Sequence, residues 1–251
     1  MVLLLNPVLK PITVDGDPVD KLKHVAIVDE DDNRVLAIAT KNYKLIKHSS
    51  VIAMCEDAFQ KYGRYELTAE YYGNHGARLF RSYIFPDCKH EINKKDFIHP
   101  AILVQNSYDL SFGVNIDLRG YRESCANDLP TAESVFSLTS KHTTGINLSK
   151  IKKSLYNAVS SFEKQVENWR EWRNIELAKR EIKTCVDFVF LQKSLREEAY
   201  SMLRRFDFVN KQYSRWDLFM LLTNIATHKL DLQKSRIVQR RILTAVTTPH
   251  A

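Results

Sequence analysis

Asp29-Glu30-Asp31-Asp32 puts four acids in a row, and a run of this kind invites a metal-nuclease reading. Two hard divalent ions need several carboxylates converging on one point. Consecutive residues point in different directions, however, and Asn33 completes the composition of a turn, so the run reads as an acidic turn. Asp109 and Asp117 with Glu123 offer another divalent set, without a recognisable motif. Cys88-Lys89-His90 with His99 and Cys125 provides soft-metal ligand types, but the spacing fits no zinc template. The chain has no Gly-x-x-x-x-Gly-Lys-Ser/Thr or Gly-x-Gly-x-x-Gly loop to cradle nucleotide phosphates, and no Gly-x-Ser-x-Gly elbow to present a nucleophile. No cofactor, no metal and no enzymatic activity is expected.

The remaining chemistry is aromatic and basic. Eight of the 11 tyrosines (43, 62, 65, 71, 72, 83, 108 and 121) fall in the first 130 residues, several on or beside strands. Exposed rings on a sheet can stack on unpaired bases, and every base has a π face. The competing reading is that tyrosine is simply a good strand former that half buries itself. Charge is unevenly spread: the first 130 residues carry 16 Lys and Arg against 18 Asp and Glu, and the remainder carry 21 against 12. A cationic half favours a polyanionic partner, because Lys and Arg that neutralise phosphates release condensed counterions. The segment from Lys234 to Leu243 places Arg236 and Arg240 four apart on one helical face, with Ile237 and Arg241 on the next row. Lys152, Lys153, Arg204, Arg205, Arg236, Arg240 and Arg241 are the candidate phosphate contacts, and Tyr108 and Tyr121 the candidate stacking residues.

These residues must be held by two kinds of element. Period-two patterns over His24–Val28 and Arg34–Ala39 predict a hairpin around the acidic turn. Residues 48 to 62 have helical spacing, with Ser49 or Ser50 as N-cap and Gly63 as the stop. Tyr65–Tyr71 and Ala77–Phe85 predict a second hairpin across Gly73-Asn-His-Gly76. Ala101–Gln105 and Ser111–Leu118 predict a third, turning at Asn106–Asp109, with Pro86–Pro100 as an irregular connection before it. Asn and Asp bond their own backbone readily, so Asn106 and Asp109 read as stabilisers of that turn and Tyr108 as a residue at its tip. Beyond Thr131 the period becomes helical. One long amphipathic helix starts at an N-cap on Ser149 and runs past Trp169, and further helices are predicted near 178–192, 194–207, 215–228 and 234–247. The expected fold is α+β: an antiparallel hairpin sheet with one crossing helix over 1–130, then a basic all-helical subdomain over 131–251, the two forming one continuous unit.

With 251 residues, 44% hydrophobic and 27% charged, the chain has the usage of an ordinary globular protein able to bury a core. Cysteines 55, 88, 125 and 185 share no close spacing, which favours a reducing compartment over a disulfide framework. The apolar run Val2–Leu5 is short for a signal peptide, and no stretch approaches the ~18 residues that span a bilayer. A cytoplasmic protein without a membrane partner is expected.

Residues 106–130, NSYDLSFGVNIDLRGYRESCANDLP, resemble the phage and plasmid-like proteins of the domain-of-unknown-function 932 family, whose signature runs Asn-Ser-His/Tyr-Asp-Gly-Ser and later Cys-Ser-Asn-Gly. Tyr43–His48 is similar to that family's segment before its first helix. Trp216-Asp-Leu, Asn224, Ala226–His228 and Gln239–Ile242 are similar to its C-terminal end. Two departures stand out: Leu110 and Asp128 occupy signature positions usually held by Gly, both of which suggest turns. The family has no established activity. Its arrangement of hairpins, crossing helix and basic helical region is similar to that of phage annealing proteins, which bind single-stranded DNA on oligomeric rings without a nucleotide. The resemblance and the residues together lead to the expectation of a phage- or plasmid-type protein, in the host cytoplasm if phage-encoded. It would bind single-stranded nucleic acid as a homo-oligomer and extend to strand annealing in recombination. The alternative is a non-enzymatic assembly or host-interaction protein whose basic helices meet an acidic partner.

Overall fold

The computed structural model describes residues 5–15, 17–18, 23–94, 96–122, 127–130, 137–143, 146–205 and 212–248, with backbone alone at 14, 17, 18, 127, 128, 130, 232 and 233. The fold is α+β. Strands β1 (Pro7–Pro11), β2 (Thr13–Val14), β3 (Asp17–Pro18), β4 (His24–Asp29) and β5 (Val35–Thr40) precede helix α1 (His48–Phe59). Then come β6 (Glu66–Gly73), β7 (Arg78–Ile84), β8 (His90–Asn93), β9 (Asp96–Ser107), β10 (Val114–Arg122), β11 (Asn127–Pro130) and β12 (Ser137–Ser140). The remainder holds α2 (Leu148–Leu155), α3 (Phe162–Trp172), β13 (Glu176–Leu177), α4 (Lys179–Val189), α5 (Lys193–Arg205), β14 (Tyr213–Ser214), α6 (Arg215–Lys229) and α7 (Leu232–Thr247).

Two compact units interleave in sequence. The first comprises Met1–Asp87, Ala101–Leu118 and Phe136–Val159, and the second Cys88–Pro100, Arg119–Val135 and Ser160–Ala251. Compactness therefore divides the chain differently from a single cut at residue 130.

In the first unit β1, β4 and β5 form an antiparallel sheet with a bulge at Ile27/Val28. β6, β7 and residues 101–107 of β9 form another set, Arg78 facing Ser107 and Glu66 facing Ile84, while β12 pairs residues 114–117 of β10. The predicted hairpins are present for a physical reason: β6 is largely exposed, β7 buries Leu79, Phe80, Tyr83 and Ile84, and β9 is buried on both faces from Ile98 to Ser107, as expected of a strand covered on both sides. Helix α1 buries Val51, Ile52, Cys55, Ala58 and Phe59 at helical spacing, and the Phe59 ring meets Tyr65, Tyr83 and Phe85 edge-on. It continues through one tight turn, Gln60–Tyr62, to the stop at Gly63, whose φ is +83°.

In the second unit β8 pairs the start of β9 and β11 pairs residues 119–122 of β10. Trp169 of α3 packs against Phe162 and against Trp216 and Phe219 of α6, and α6 in turn packs on α5 and α7, and α4 on α7. Leu218, Phe219, Leu221, Leu222, Ile225 and Ala226 of α6 are all buried, as expected of a helix covered on several sides by α3, α5, α7 and β11. Its start is fixed by a reciprocal cap: the Asp217 N–H donates to Ser214 Oγ at 3.1 Å, and the Ser214 N–H donates to Asp217 Oδ2 at 3.0 Å.

Several expectations need correction. The long helix starting near Ser149 is two helices, capped by Asn147, whose side chain accepts from the Lys150 N–H. The chain turns at Val159–Ser161 because Ile151 and Leu155 bury in the first unit, whereas Phe162, Val166 and Trp169 bury in the second. Residues 131–251 are not purely helical, since β12 to β14 lie there. The stretch Pro86–Pro100, expected to be irregular, contains β8 and the first part of β9, with His90 opposite Ile98. The third hairpin turns later than predicted. β9 runs through Ser107, and residues 108–113 make the connection.

Candidate nucleic-acid interface

Tyr108 follows directly on Ser107, the last residue of β9, and is 1% exposed. Its ring stacks on His48 with centroids 3.8 Å apart, and its hydroxyl accepts the His48 backbone N–H at 2.5 Å. That N–H belongs to the first turn of α1, where no intrahelical acceptor exists, so the tyrosine does the work expected of Ser49 or Ser50. The Gly76 carbonyl, which only accepts, lies 3.2 Å from His48 Nε2, so Nε2 carries the proton and Nδ1 accepts from Asn106 Nδ2 at 2.9 Å. Asn106 also donates to the Ile46 carbonyl at 3.0 Å. Burial pushes the His48 imidazole down to about 3, so it stays neutral. Tyr108 is therefore core, and the stacking role expected for it is wrong: an extended strand carries it inward where a tight turn would have carried it out.

The turn itself rests on Asp109 and Ser107. Asp109 Oδ1 accepts the Ser111 N–H at 3.1 Å, and Oδ2 accepts from Arg78 Nε at 2.6 Å and Asn74 Nδ2 at 2.7 Å. Burial alone would raise the Asp109 carboxyl, but the bonds from Ser111, Asn74 and Arg78 outweigh it and hold it below the ordinary range. Ser107 Oγ donates to the Phe112 carbonyl and accepts the Phe112 N–H. Asp109 thus has its expected structural role, whereas Asn106 ties β9 to the entry of α1 and not to the turn. Leu110 has φ +61° at the position where the resembling family carries Gly.

Asp29 and Asp32 of the first carboxylate set and Asp109 and Asp117 of the second are engaged in local structure. Asp29 is buried and accepts the Asn6 N–H, Asp32 accepts the Arg34 N–H at 2.9 Å, and Asn33 has φ +57°. Asp109 is engaged as above, Asp117 accepts from Ser137 Oγ at 2.7 Å, and Glu123 and Cys125 lie outside the described residues. Among the described residues no three His, Cys, Asp or Glu side chains are grouped to hold a metal ion.

The tyrosines of the sheet are mostly occupied internally. Tyr62 donates to the Leu155 carbonyl, Tyr83 to Glu56, Tyr72 to Glu70, and Tyr43 stacks flat on His142 at 5.1 Å. Tyr71 on β6 is exposed, its ring tilted against Phe80 with centroids 5.8 Å apart. Tyr121 is half-buried on β10, opposite Asp128 in register.

In the first unit the basic and aromatic groups meet elsewhere, where α1 packs on α2. Lys61 Nζ lies 5.4 Å and Lys152 Nζ 5.8 Å from the centroid of half-buried Tyr156. Lys61 also donates to the Tyr156 carbonyl, and Lys152 pairs with Asp57, whose carboxylate raises the lysine's pKa. Lys153 is exposed on the same helix. Sequence reading found the two α2 lysines and missed Lys61 and Tyr156, because their approach depends on two helices far apart in the chain.

The second unit holds the other candidate cations. Arg204 and Arg205 are exposed at the end of α5, and Arg240 is exposed on α7. Ser235, Gln239, Ile242, Ala245 and Val246 form the buried stripe of α7, which leaves Arg236 and Arg241 half-buried at its flanks. Arg241, Lys234, Ile237 and Val238 line an apolar cleft of about 170 Å3 with Val189–Gln192, Leu195 and Leu230. By sequence, the segments of this unit hold 22 Lys and Arg against 16 Asp and Glu, and those of the first unit 15 against 14.

No helix among the described residues is long and apolar enough to cross a membrane. No curated protein and no solved structure matches the chain. Residues 35–244 match the family described as Domain of unknown function (DUF932), a span that contains the Asn106–Asp109 cluster. The chain therefore belongs to the DUF932 family.

Proposed function

We propose that this protein binds single-stranded nucleic acid without a nucleotide cofactor and without chemistry of its own, in phage or plasmid recombination that extends to strand annealing. The observation that carries the reading is the α1–α2 face, where the ammonium groups of Lys61 and Lys152 lie over the ring of half-buried Tyr156. Two ammonium groups over one ring make a cationic aromatic patch, and a nucleotide can meet it by drawing a lysine off the ring onto its phosphate while its base takes the vacated face. Exposed Lys153, Arg204, Arg205 and Arg240 supply further phosphate contacts. Tyr108 is removed from the binding set by its burial, and Tyr156 takes its place.

The test is a titration of a labelled oligonucleotide over a range of salt concentrations. Affinity should fall linearly with log salt, by a slope of ~0.7 per neutralised phosphate. Tyr156→Leu should weaken binding by ~1–3 kcal/mol with little change in that slope, and Lys153→Glu with Arg240→Glu should flatten it. A salt-insensitive interaction, or none at low salt, would sink this reading.

A further inference from the structure

The apolar cleft of the second unit is built and exposed at once. α4 ends at Val189, and the following turn is pinned by Arg196, whose Nη1 donates to the Phe190 carbonyl at 3.1 Å and the Leu191 carbonyl at 3.2 Å. Phe190 is fully buried beneath it. Leu191, however, is 65% exposed and Ile237, which lines the same cleft from α7, is 53% exposed. Exposed branched aliphatic side chains lining a preformed depression offer apolar surface that an apolar group can cover. The volume of about 170 Å3 is comparable to the ~150 Å3 cavity that accepts a benzene ring, which is room for one large apolar side chain.

The charge at the rim states what else the occupant carries. Arg241 lines the cleft and makes no hydrogen bond or ion pair among the described residues. Lys234, also on the lining, meets Asp231 at 3.0 Å in a solvent-exposed i,i+3 pair that costs little to open. A nucleobase gains little here, since the exposed walls are aliphatic and offer no ring face to stack on.

We propose that this cleft docks a short acidic segment of a partner protein, one large apolar side chain entering between Leu191 and Ile237 while flanking carboxylates meet Arg241 and Lys234. The site is separate from the nucleic-acid face proposed above and does not rest on it.

The probe is a fluorescent peptide Asp-Asp-Asp-Leu-Phe, its control Lys-Lys-Lys-Leu-Phe, each titrated with the full chain and read by anisotropy. The acidic peptide should bind and the basic one should not. Ile237→Asp and Arg241→Glu should each weaken the acidic peptide by about tenfold or more; Ile237 is exposed and Arg241 half-buried at the rim, and both variants should keep the wild-type circular dichroism and melting curve. Tyr156→Leu should leave peptide binding unchanged, and Ile237→Asp should leave oligonucleotide binding unchanged, so each reading can fail alone. No binding of the acidic peptide at millimolar concentration, equal binding of both peptides, or displacement of the peptide by an oligonucleotide would overturn the proposal. So would a dimer in sedimentation that Ile237→Asp dissolves, because a second copy would then occupy the cleft.

Discussion

Leu110 holds a left-handed backbone, φ +61°, with its side chain exposed. The left-handed region costs an L-residue with a Cβ roughly 1–2 kcal/mol, and glycine escapes that cost while losing ~0.5–1 kcal/mol of extra chain entropy on folding. Leu110→Gly should therefore stabilise the protein by about 0.5–1 kcal/mol, seen as a higher midpoint in urea at unchanged slope. A lower midpoint would mean that Leu110 makes contacts worth more than the strain. The neighbouring Asp109 carboxylate and Ser107 hydroxyl keep the turn closed whichever residue stands at 110.

At the scale of elements, one close approach decides how β10 and α3 fit. A Cβ at Gly120 would lie 2.6 Å from the Trp169 ring and 3.0 Å from Ile98 Cγ2, all within the second unit. Trp169 is fully buried among Phe162, Trp216 and Phe219, so the ring has no room to retreat. Gly120→Ala should destabilise by ~1–3 kcal/mol through overpacking, measured as a fall in melting temperature with altered tryptophan fluorescence. A variant as stable as the parent would show that α3 shifts freely against the strand.

Below neutrality the shifted histidines and Asp109 act in one direction. Burial lowers His48 from 6.5 to about 3, opposed by the bond to the Gly76 carbonyl. Burial lowers His142 and His90 as well. The unfolded chain takes a proton on these rings below about pH 6.5 while the folded one refuses it, so the fold loses stability as pH falls through that value. For His48 the loss continues until about 3, where the folded state also protonates. Asp109, held below its ordinary 3.8, adds a loss at the acidic end, since its stabilisation is present above that value and vanishes as the folded carboxyl protonates. Denaturation midpoints should therefore decline from about pH 7 to about pH 4, and His48→Gln should reduce the slope. A flat profile in that range would contradict the neutral buried histidine.

The sequence by itself determined the α+β class, the main hairpins and the helices α4 to α7. Period-two and period-3.6 burial are local properties, visible wherever one face of an element is covered. It also determined the family, the charge asymmetry and the turn chemistry of Asp109. It did not determine where α2 ends and α3 begins, because the apolar spacing continues across the break and only the separate cores of the two units require one. Nor did it place Tyr108. A tyrosine beside Asn, Ser and Asp has the composition of an exposed turn, and only the extension of β9 through Ser107, with His48 waiting to stack, puts the ring inside. Tyr156 between Lys61 and Lys152, and the cleft between Leu191 and Ile237, were likewise decided by tertiary structure. Each joins side chains from different helices, and pairing between distant segments depends on packing that no local period encodes.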